Sequence, residues 1–488
     1  MTLDSRTRWL ALIVLCLGDV MIVLDTTIVN VALPSIREDL GFSETSLAWV
    51  VNAYVLTFGG FLLLGGRLGD LFGYRRLFLA GVAFFTLASL ACGLATSQGV
   101  LVAARAVQGL GGAVVSAVAL SLIMILFTEP AERAKAMGIF GFVLSGGGSA
   151  GVLLGGVLTD TLDWHWIFLV NIPIGVLVLA LSLRLLPGTA GQAAGQRLDV
   201  AGAVTVTAAL MLAVYAIVNG NETGWTSGQT LGLLAAALAL LAIFLGIESR
   251  ASSPLVPLRL FRLRNLATAN VLAMLMSAGM FAAFFVSALY LQLVLGYSPL
   301  EVGLAYLPST VIWGAASLFL SDKLVMRFGI KTPLVTGLSF MAVGILLFAR
   351  APVDGSFAMD ILPAMALQGF GAGIAFNPML LAAMGDVEPQ ESGLASGVVN
   401  TSFMMGGALG LAALVSLAAS RTDTLLASGD GRLVALTGGY HAAFLAGALL
   451  AVAAAVIAAA LLRPSAAMPG HEEAVEGAEP AAAGARGS

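Results

Sequence analysis

Apolar runs of about twenty residues, separated by short segments rich in Gly, Pro, Asp and Arg, recur along almost the whole chain. A helix rises 1.5 Å per residue, so roughly twenty apolar residues cross ~30 Å of hydrocarbon. Fourteen stretches qualify, near 9–32, 46–65, 77–96, 99–127, 136–160, 166–186, 199–219, 228–247, 266–295, 300–321, 333–349, 359–384, 392–419 and 440–462. The pattern predicts an all-α integral membrane protein with fourteen transmembrane helices. The first run is longer than a signal-peptide core and no small-residue cleavage site follows it, so it is expected to be retained. Residues 464–488, rich in Ala, Gly and Glu, are expected to form a disordered cytoplasmic tail.

Composition agrees with this pattern. The 488 residues are 59% hydrophobic and 10% charged, with a mean hydropathy of +0.99, against about 25% charged residues in soluble domains. Basic residues set the orientation. Arg37, Arg350, Arg421 and Arg432 fall on one side of the predicted membrane; apart from Arg105, every other Lys and Arg falls on the side of the N-terminus. The positive-inside rule therefore places both termini in the cytoplasm. The loop 385–392 runs against the trend, since it should be cytoplasmic yet carries only acids. Abundant Arg, Ala and Gly point to a GC-rich bacterium, hence to its cytoplasmic membrane. Cys16 and Cys92 fall at different depths, which disfavours a disulfide, and His165, His441 and His471 are scattered without metal-ligand spacing. No P-loop is present. An enzyme, a bound metal or cofactor and a nucleic-acid partner are not expected.

Several segments occur twice. AVQGLGG at 106–112 is echoed by ALQGFGA at 366–372, EPAERAKAMG at 129–138 by EPQESGLASG at 388–397, and GGSAG at 147–151 by GGALG at 406–410. The order is the same and the offset is nearly constant. The chain thus divides into an N-terminal six-helix half (1–186), two inserted linker helices (187–265), a C-terminal six-helix half (266–463) and the tail (464–488). Two parallel six-helix halves predict a transporter that rocks around a site at their interface. A helical channel or a membrane sensor is the alternative.

Four local motifs narrow this further. LDTTIVNVALP at 24–34, GRLGDLFGYRR at 66–76, RAVQGLGGA at 105–113 and GVLLGG at 151–156 resemble the signature motifs of the fourteen-span drug:proton antiporters of the major facilitator superfamily. The resemblance covers essentially the whole chain and implies the major facilitator fold and proton-driven export of small, often lipophilic compounds. In one place the chain departs from the family pattern: Gly151 is followed by Val152, where the antiporter motif has Gly-Pro.

Embedded charges are the candidate chemistry. Asp25 lies ~24 Å along an outward-running span 1, and Arg105 lies ~9 Å from the outer face along an inward-running span 4. Both fall in the outer half of the membrane, where an unpaired carboxylate costs several kcal/mol. An Asp25–Arg105 pair lined by Asn52, Tyr54 and Gln108 is therefore expected. It could open on protonation and so couple protons to a conformational change, or it could be a permanent structural pair. Asp19 lies ~15 Å deep, where it could serve a cationic substrate or a second proton, or simply bond a neighbouring helix.

Other positions invite a role. In 66–76, Gly66, Gly69 and Gly73 allow tight approach, while Asp70, Arg75 and Arg76 place charge at the cytoplasmic face. The resemblance makes this segment a gate, with Asp70 latched to the start of span 13 near Ser392. Gly147, Gly151 and Gly155, with Gly156, form a smooth face for helix packing; by resemblance this face lies between the halves. Asn377, before Pro378 in span 12, is placed to meet substrate or to accompany a kink. The residues 274–285, MLMSAGMFAAFF, could form an adaptable apolar wall or face lipid. With Asp19 and Asp25 the only embedded acids, neutral or monocationic lipophilic substrates are expected. A lipid or natural-product cargo on the same fold is the nearer alternative. The expected partners are that substrate, protons as coupling ion and the lipid bilayer, and the protein is expected to be a monomer.

Overall fold

The computed structural model describes residues 4–188, 199–251, 254, 258–384, 387 and 392–462; within its helices some side chains, that of Asp70 among them, fall outside the described set. The first six long helices are α1 (Ser5–Leu40), α2 (Glu44–Phe72), α3 (Tyr74–Gly93), α4 (Gln98–Leu126), α5 (Pro130–Thr161) and α6 (Asn171–Leu185), the last entered through a short turn at Trp166–Leu169. Two more follow, α7 (Val200–Thr223) and α8 (Gly228–Arg250). The second set comprises α9 (Arg264–Leu289), α10 (Pro299–Ala315), α11 (Lys331–Phe348), α12 (Leu362–Met384), α13 (Ser392–Ala427) and α14 (Arg432–Leu461). Among the described residues, thirteen helices are long and apolar enough to cross a membrane, and the 32-residue α5 completes the fourteen.

Sequence signals fix many of the helix ends. Ser43 and Ser46 form a reciprocal capping box at the start of α2, and Ser298 with Glu301 does the same for α10, where Pro299 occupies the first turn. Gly41 ends α1 in the left-handed conformation at φ 69°. Helices overrun the apolar stretches, α1 by several residues at each end, because polar end residues lose nothing by continuing the helix into water.

Packing repeats with the sequence. In the first half α1 packs on α5 and α6, α2 on α4, and α3 on α4 and α6; in the second half α9 packs on α13 and α14, α10 on α12, and α11 on α12 and α14. The doubled Gly-x-Gly explains part of this. Residues two apart lie on opposite sides of a helix. A Cβ on Gly109 would enter Tyr54 and Thr57 of α2, and one on Gly111 would lie 2.8 Å from the Phe85 nitrogen of α3. The mates behave alike: Gly369 meets Ser309 of α10, and Gly371 meets Gly337 and Met341 of α11. Each glycine pair thus admits two neighbours at once.

The halves meet along two equivalent seams, α2 against α13 and α5 against α10, with α7 lying over the first of them and α8 packed on α7. Away from the end that carries Arg75, Arg76 and Arg184, the halves are in direct contact. Gln292 Nε2 donates to the Val31 carbonyl at 2.9 Å. On the second seam, a Cβ on Gly156 would lie 2.8 Å from the Pro299 carbonyl, and one on Gly303 would lie 3.0 Å from the Val152 carbonyl.

The second half also departs from regular helix. α9 ends in a π turn at Tyr290–Val294, α10 continues through a π segment at Ala316–Ser321, and α12 is preceded by another at Phe357–Ile361. Wider turns leave backbone carbonyls without their usual partners. Asn377 meets one such demand: its Nδ2 donates to the Ser317 carbonyl at 3.3 Å and to Ser317 Oγ at 3.2 Å. Pro378 follows it inside α12, which stays continuous from Leu362 to Met384.

Candidate functional site

Asp25 of α1 and Arg105 of α4 are 0% and 1% exposed, and they are paired: Arg105 Nη1 donates to Asp25 Oδ2 at 2.5 Å. Two amides complete the carboxylate. Gln108 Nε2 donates to Asp25 Oδ1 at 2.7 Å and Asn171 Nδ2, from the start of α6, donates to the same oxygen at 3.0 Å. Arg105 is held as fully. Its Nε donates to the Val50 carbonyl at 2.9 Å, its Nη1 also reaches Gln108 Oε1 at 2.7 Å, and its guanidinium lies 4.3 Å from the Tyr54 ring centre and 5.6 Å from that of Phe168. Ser89 Oγ accepts from Gln108 at 2.8 Å, and the Cys92 thiol lies 3.5 Å from Gln108 Oε1.

The physical sense of the cluster is that a buried ion pair survives only when its remaining donors and acceptors are satisfied. Helices α2, α4 and α6 supply those partners here, and α3 supports Gln108 through Ser89. An arrangement of this kind is stable while Asp25 is charged. Protonation of Asp25 removes the charge that holds Arg105, and the guanidinium must then find another acceptor or water. Asn171→Ala removes one of three donors to the carboxylate, a charge-assisted bond worth about 1.5–3 kcal/mol. The variant is expected to fold and to lose about tenfold or more in proton-dependent transport rate, measured in vesicles at a fixed pH gradient; unchanged transport would show that this donor is idle.

The expected lining residues divide. Tyr54 and Gln108 touch Arg105 as anticipated. Asn52 does not join them: at ~100° per residue it lies ~200° around α2 from Tyr54. It shares instead the face of Gly59, where a Cβ would lie 2.8 Å from Met404 of α13. Asn52 is 0% exposed and neither atom of its amide has a partner among the described residues. Asn377 is committed to Ser317. Ser89, Asn171 and Phe168 were not anticipated; for Ser89 and Asn171 the available signal was a polar residue at a matching depth in spans 3 and 6, and Phe168 gave none. Both cysteines are free and buried.

The glycine face needs correcting. Gly151 and Gly155 close on α1, at Leu24, Thr27 and Ile28, and Gly147 lies 3.6 Å from Val23 when given a Cβ, so these three pack inside the first half. Only Gly156 reaches the other half, at Pro299 and Leu300. The reason is rotational, since Gly156 lies ~100° around α5 from Gly155 and so looks toward a different neighbour. In the 66–76 segment, Gly73 takes φ +90° and a Cβ on Gly69 would fall 2.7 Å from the Tyr74 ring, whereas none of the described residues stands within 4 Å of one on Gly66. Close approach applies to Gly69. Arg75 Nη2 donates to the Leu183 carbonyl in the last turn of α6, a tie within the first half, and Arg76 is exposed. The Asp70 side chain and residues 388–391 before α13 lie outside the described residues, and the latch with them.

Comparison with known proteins agrees with this architecture. A puromycin resistance protein of Streptomyces alboniger is 39% identical over 458 residues, covering 92% of this chain and 90% of that one. The cephamycin export protein of Amycolatopsis lactamdurans is 39% identical over 424 residues, 86% of this chain and 87% of its own. A tetracenomycin C resistance and export protein of Streptomyces glaucescens is 35% identical over 419 residues, covering 85% and 76% respectively. Among solved structures, an auto-inhibited peptide transporter of the POT family superposes with a TM-score of 0.66 at 16% identity, covering 96% of this chain and 99% of that one. A bacterial homolog of the human lysosomal transporter Spinster gives 0.66 at 17%, covering 95% and 98%. The family model matches residues 15–411, and the chain belongs to the Major Facilitator Superfamily.

Proposed function

We propose that this protein is a secondary exporter, driven by inward proton flow, that carries small lipophilic antibiotics or other natural products out across the bacterial cytoplasmic membrane. The observation that carries the reading is the Asp25–Arg105 pair, a titratable lock buried inside one of the two halves that must rock against each other. In this reading the Arg75 end faces the cytoplasm, Asp25 takes up a proton from outside and releases it inside, and the protein works as a monomer without a cofactor. The relatives named above support an antibiotic or natural-product cargo. A lipid cargo is the second reading.

Features of the second half suit an apolar substrate. Phe281 of α9, Phe376 of α12 and Phe403 of α13 meet edge to face, with ring centres 5.9 and 5.6 Å apart. Next to Phe403, Met404 touches α2 across the seam. An aromatic and methionine surface adapts to many shapes. Within 274–285, the half-burial of Phe281 and Phe284 supports the wall, whereas Phe285 is packed inside at 0% exposed and Met274 is exposed. No carboxylate lies deep in α9–α14. A dication would then lack compensating charge, which is costly in a low-dielectric site. Expression in a host lacking its own efflux pumps should raise tolerance to puromycin-like or other neutral and monocationic compounds. Initial efflux of ethidium should exceed that of diamidine or bisbiguanide dications by about tenfold, a difference of ~1.4 kcal/mol. Equal rates for mono- and dications would overturn the charge argument; no gain in tolerance to any compound would overturn the export reading.

A further inference from the structure

Asp19 lies six residues before Asp25 on α1 and is not part of the paired cluster. It is 2% exposed. Its Oδ1 accepts a hydrogen bond from Ser116 Oγ of α4 at 2.6 Å, while its Oδ2, equally buried, has no partner among the described residues. A second buried atom without a partner is the Tyr54 hydroxyl. It lies against α4 at Gly112, where a Cβ would stand 3.0 Å from it. Gly112 is one helical turn before Ser116, ~6 Å along the axis, so the phenol and the carboxyl occupy adjacent turns of one helix face. The other side of Tyr54 carries Arg105.

The charges around Asp19 decide what it binds. On α1 itself the titratable neighbours are Cys16 and Asp25; α2 contributes Tyr54, with the side chains of Arg67 and Asp70 outside the described residues; α3 contributes Cys92, which sits at Gln108, and at its start Tyr74, Arg75, which donates to the Leu183 carbonyl, and the exposed Arg76; α4 contributes Arg105. Arg105 is eleven residues from Ser116, ~16 Å along α4, and is engaged by Asp25, Val50 and Gln108. Residues 136–159 of α5 and 171–183 of α6 hold no titratable side chain. Among the described residues no cation pairs with Asp19, and burying an unpaired carboxylate costs several kcal/mol. Enclosure also excludes a bulky ammonium: Cys16 and Met21 are buried on the same helix, and a Cβ on the adjacent Gly18 would meet Phe78 at 2.9 Å. A proton needs no further room and would turn the unpartnered Oδ2 into a hydroxyl.

We propose that Asp19, held by Ser116 beside the Tyr54 phenol, is a second proton-binding site, loaded in this conformation and distinct from Asp25. The proton adds to Asp19 Oδ2, forming the carboxylic acid, and leaves to solvent when the halves rock. Its place in the transport cycle rests on the exporter reading above; its occupancy does not.

Infrared spectroscopy of the purified full-length protein at neutral pH tests occupancy without any substrate. The expected result is a protonated-carboxyl C=O band that Asp19→Asn removes, Asp25→Asn retains and Ser116→Ala shifts in frequency, since that variant loses a hydrogen bond at little cost in volume. Absence of the band in the wild type, its persistence in Asp19→Asn, or, if Asp19→Asn does not fold, an unshifted band in Ser116→Ala each overturns the proposal. In proteoliposomes, Asp19→Asn should move half as many protons per ethidium exported as the wild type; an unchanged ratio also overturns it. A band that behaves as expected in a protein that exports nothing would sink only the exporter reading.

Discussion

Asp25→Asn is expected to bring proton-driven efflux down to background, a loss of about a hundredfold or more, while leaving the protein folded in the membrane. The substitution keeps the planar shape that Gln108 and Asn171 address but removes the group that can gain and lose a proton. In everted vesicles an imposed pH gradient should no longer accelerate ethidium transport. Exchange of labelled for unlabelled dye, which needs rocking but no net proton movement, should persist. Gradient-driven efflux at the wild-type rate from a well-folded Asp25→Asn protein would remove Asp25 from the coupling mechanism.

A different kind of loss is expected for Arg105→Ala. Removing one member of a buried pair strands the other, at a cost of about 3–5 kcal/mol, so the first effect is on the fold itself. Thermal stability in detergent should fall well below the wild type. The double variant Arg105→Ala with Asp25→Asn removes both charges and should recover much of that stability without recovering transport. This is a coupling of more than about 1 kcal/mol in a double-mutant cycle. Additive effects on stability would mean that the 2.5 Å contact contributes little and that Arg105 is held mainly by Val50 and Tyr54.

Depth was readable from the chain, rotation was not. Counting 1.5 Å per residue from the predicted ends of spans 1 and 4 brought Asp25 and Arg105 to one level, and they are indeed in contact. The same counting put Asn52 beside Tyr54, yet two residues along a helix are ~200° apart, so Tyr54 faces Arg105 while Asn52 shares the opposite face with Gly59. Gly147, Gly151 and Gly155 announced a packing face, but a glycine has no side chain to say which neighbour it admits, and that neighbour is α1. Asn171 and Ser89 went unnoticed for a related reason. A single amide or hydroxyl in an apolar span satisfies its own backbone as often as it serves a site, and only the fold shows which. The duplication was the most legible feature, because the glycines at 109, 111, 369 and 371 make equivalent contacts in both copies.

The two halves have kept the repeat but divided its chemistry. Where the first half has Arg105, the second has the buried Met365; every deeply embedded carboxylate and guanidinium belongs to α1 and α4, whereas the edge-to-face phenylalanines belong to α9, α12 and α13. Selection can therefore act on one property without disturbing the other. On the proposed reading, substitutions at Phe281, Phe376 or Phe403 would change which compounds are recognised while leaving the Asp25–Arg105 pair intact, so selection for a new cargo would need changes in one half alone.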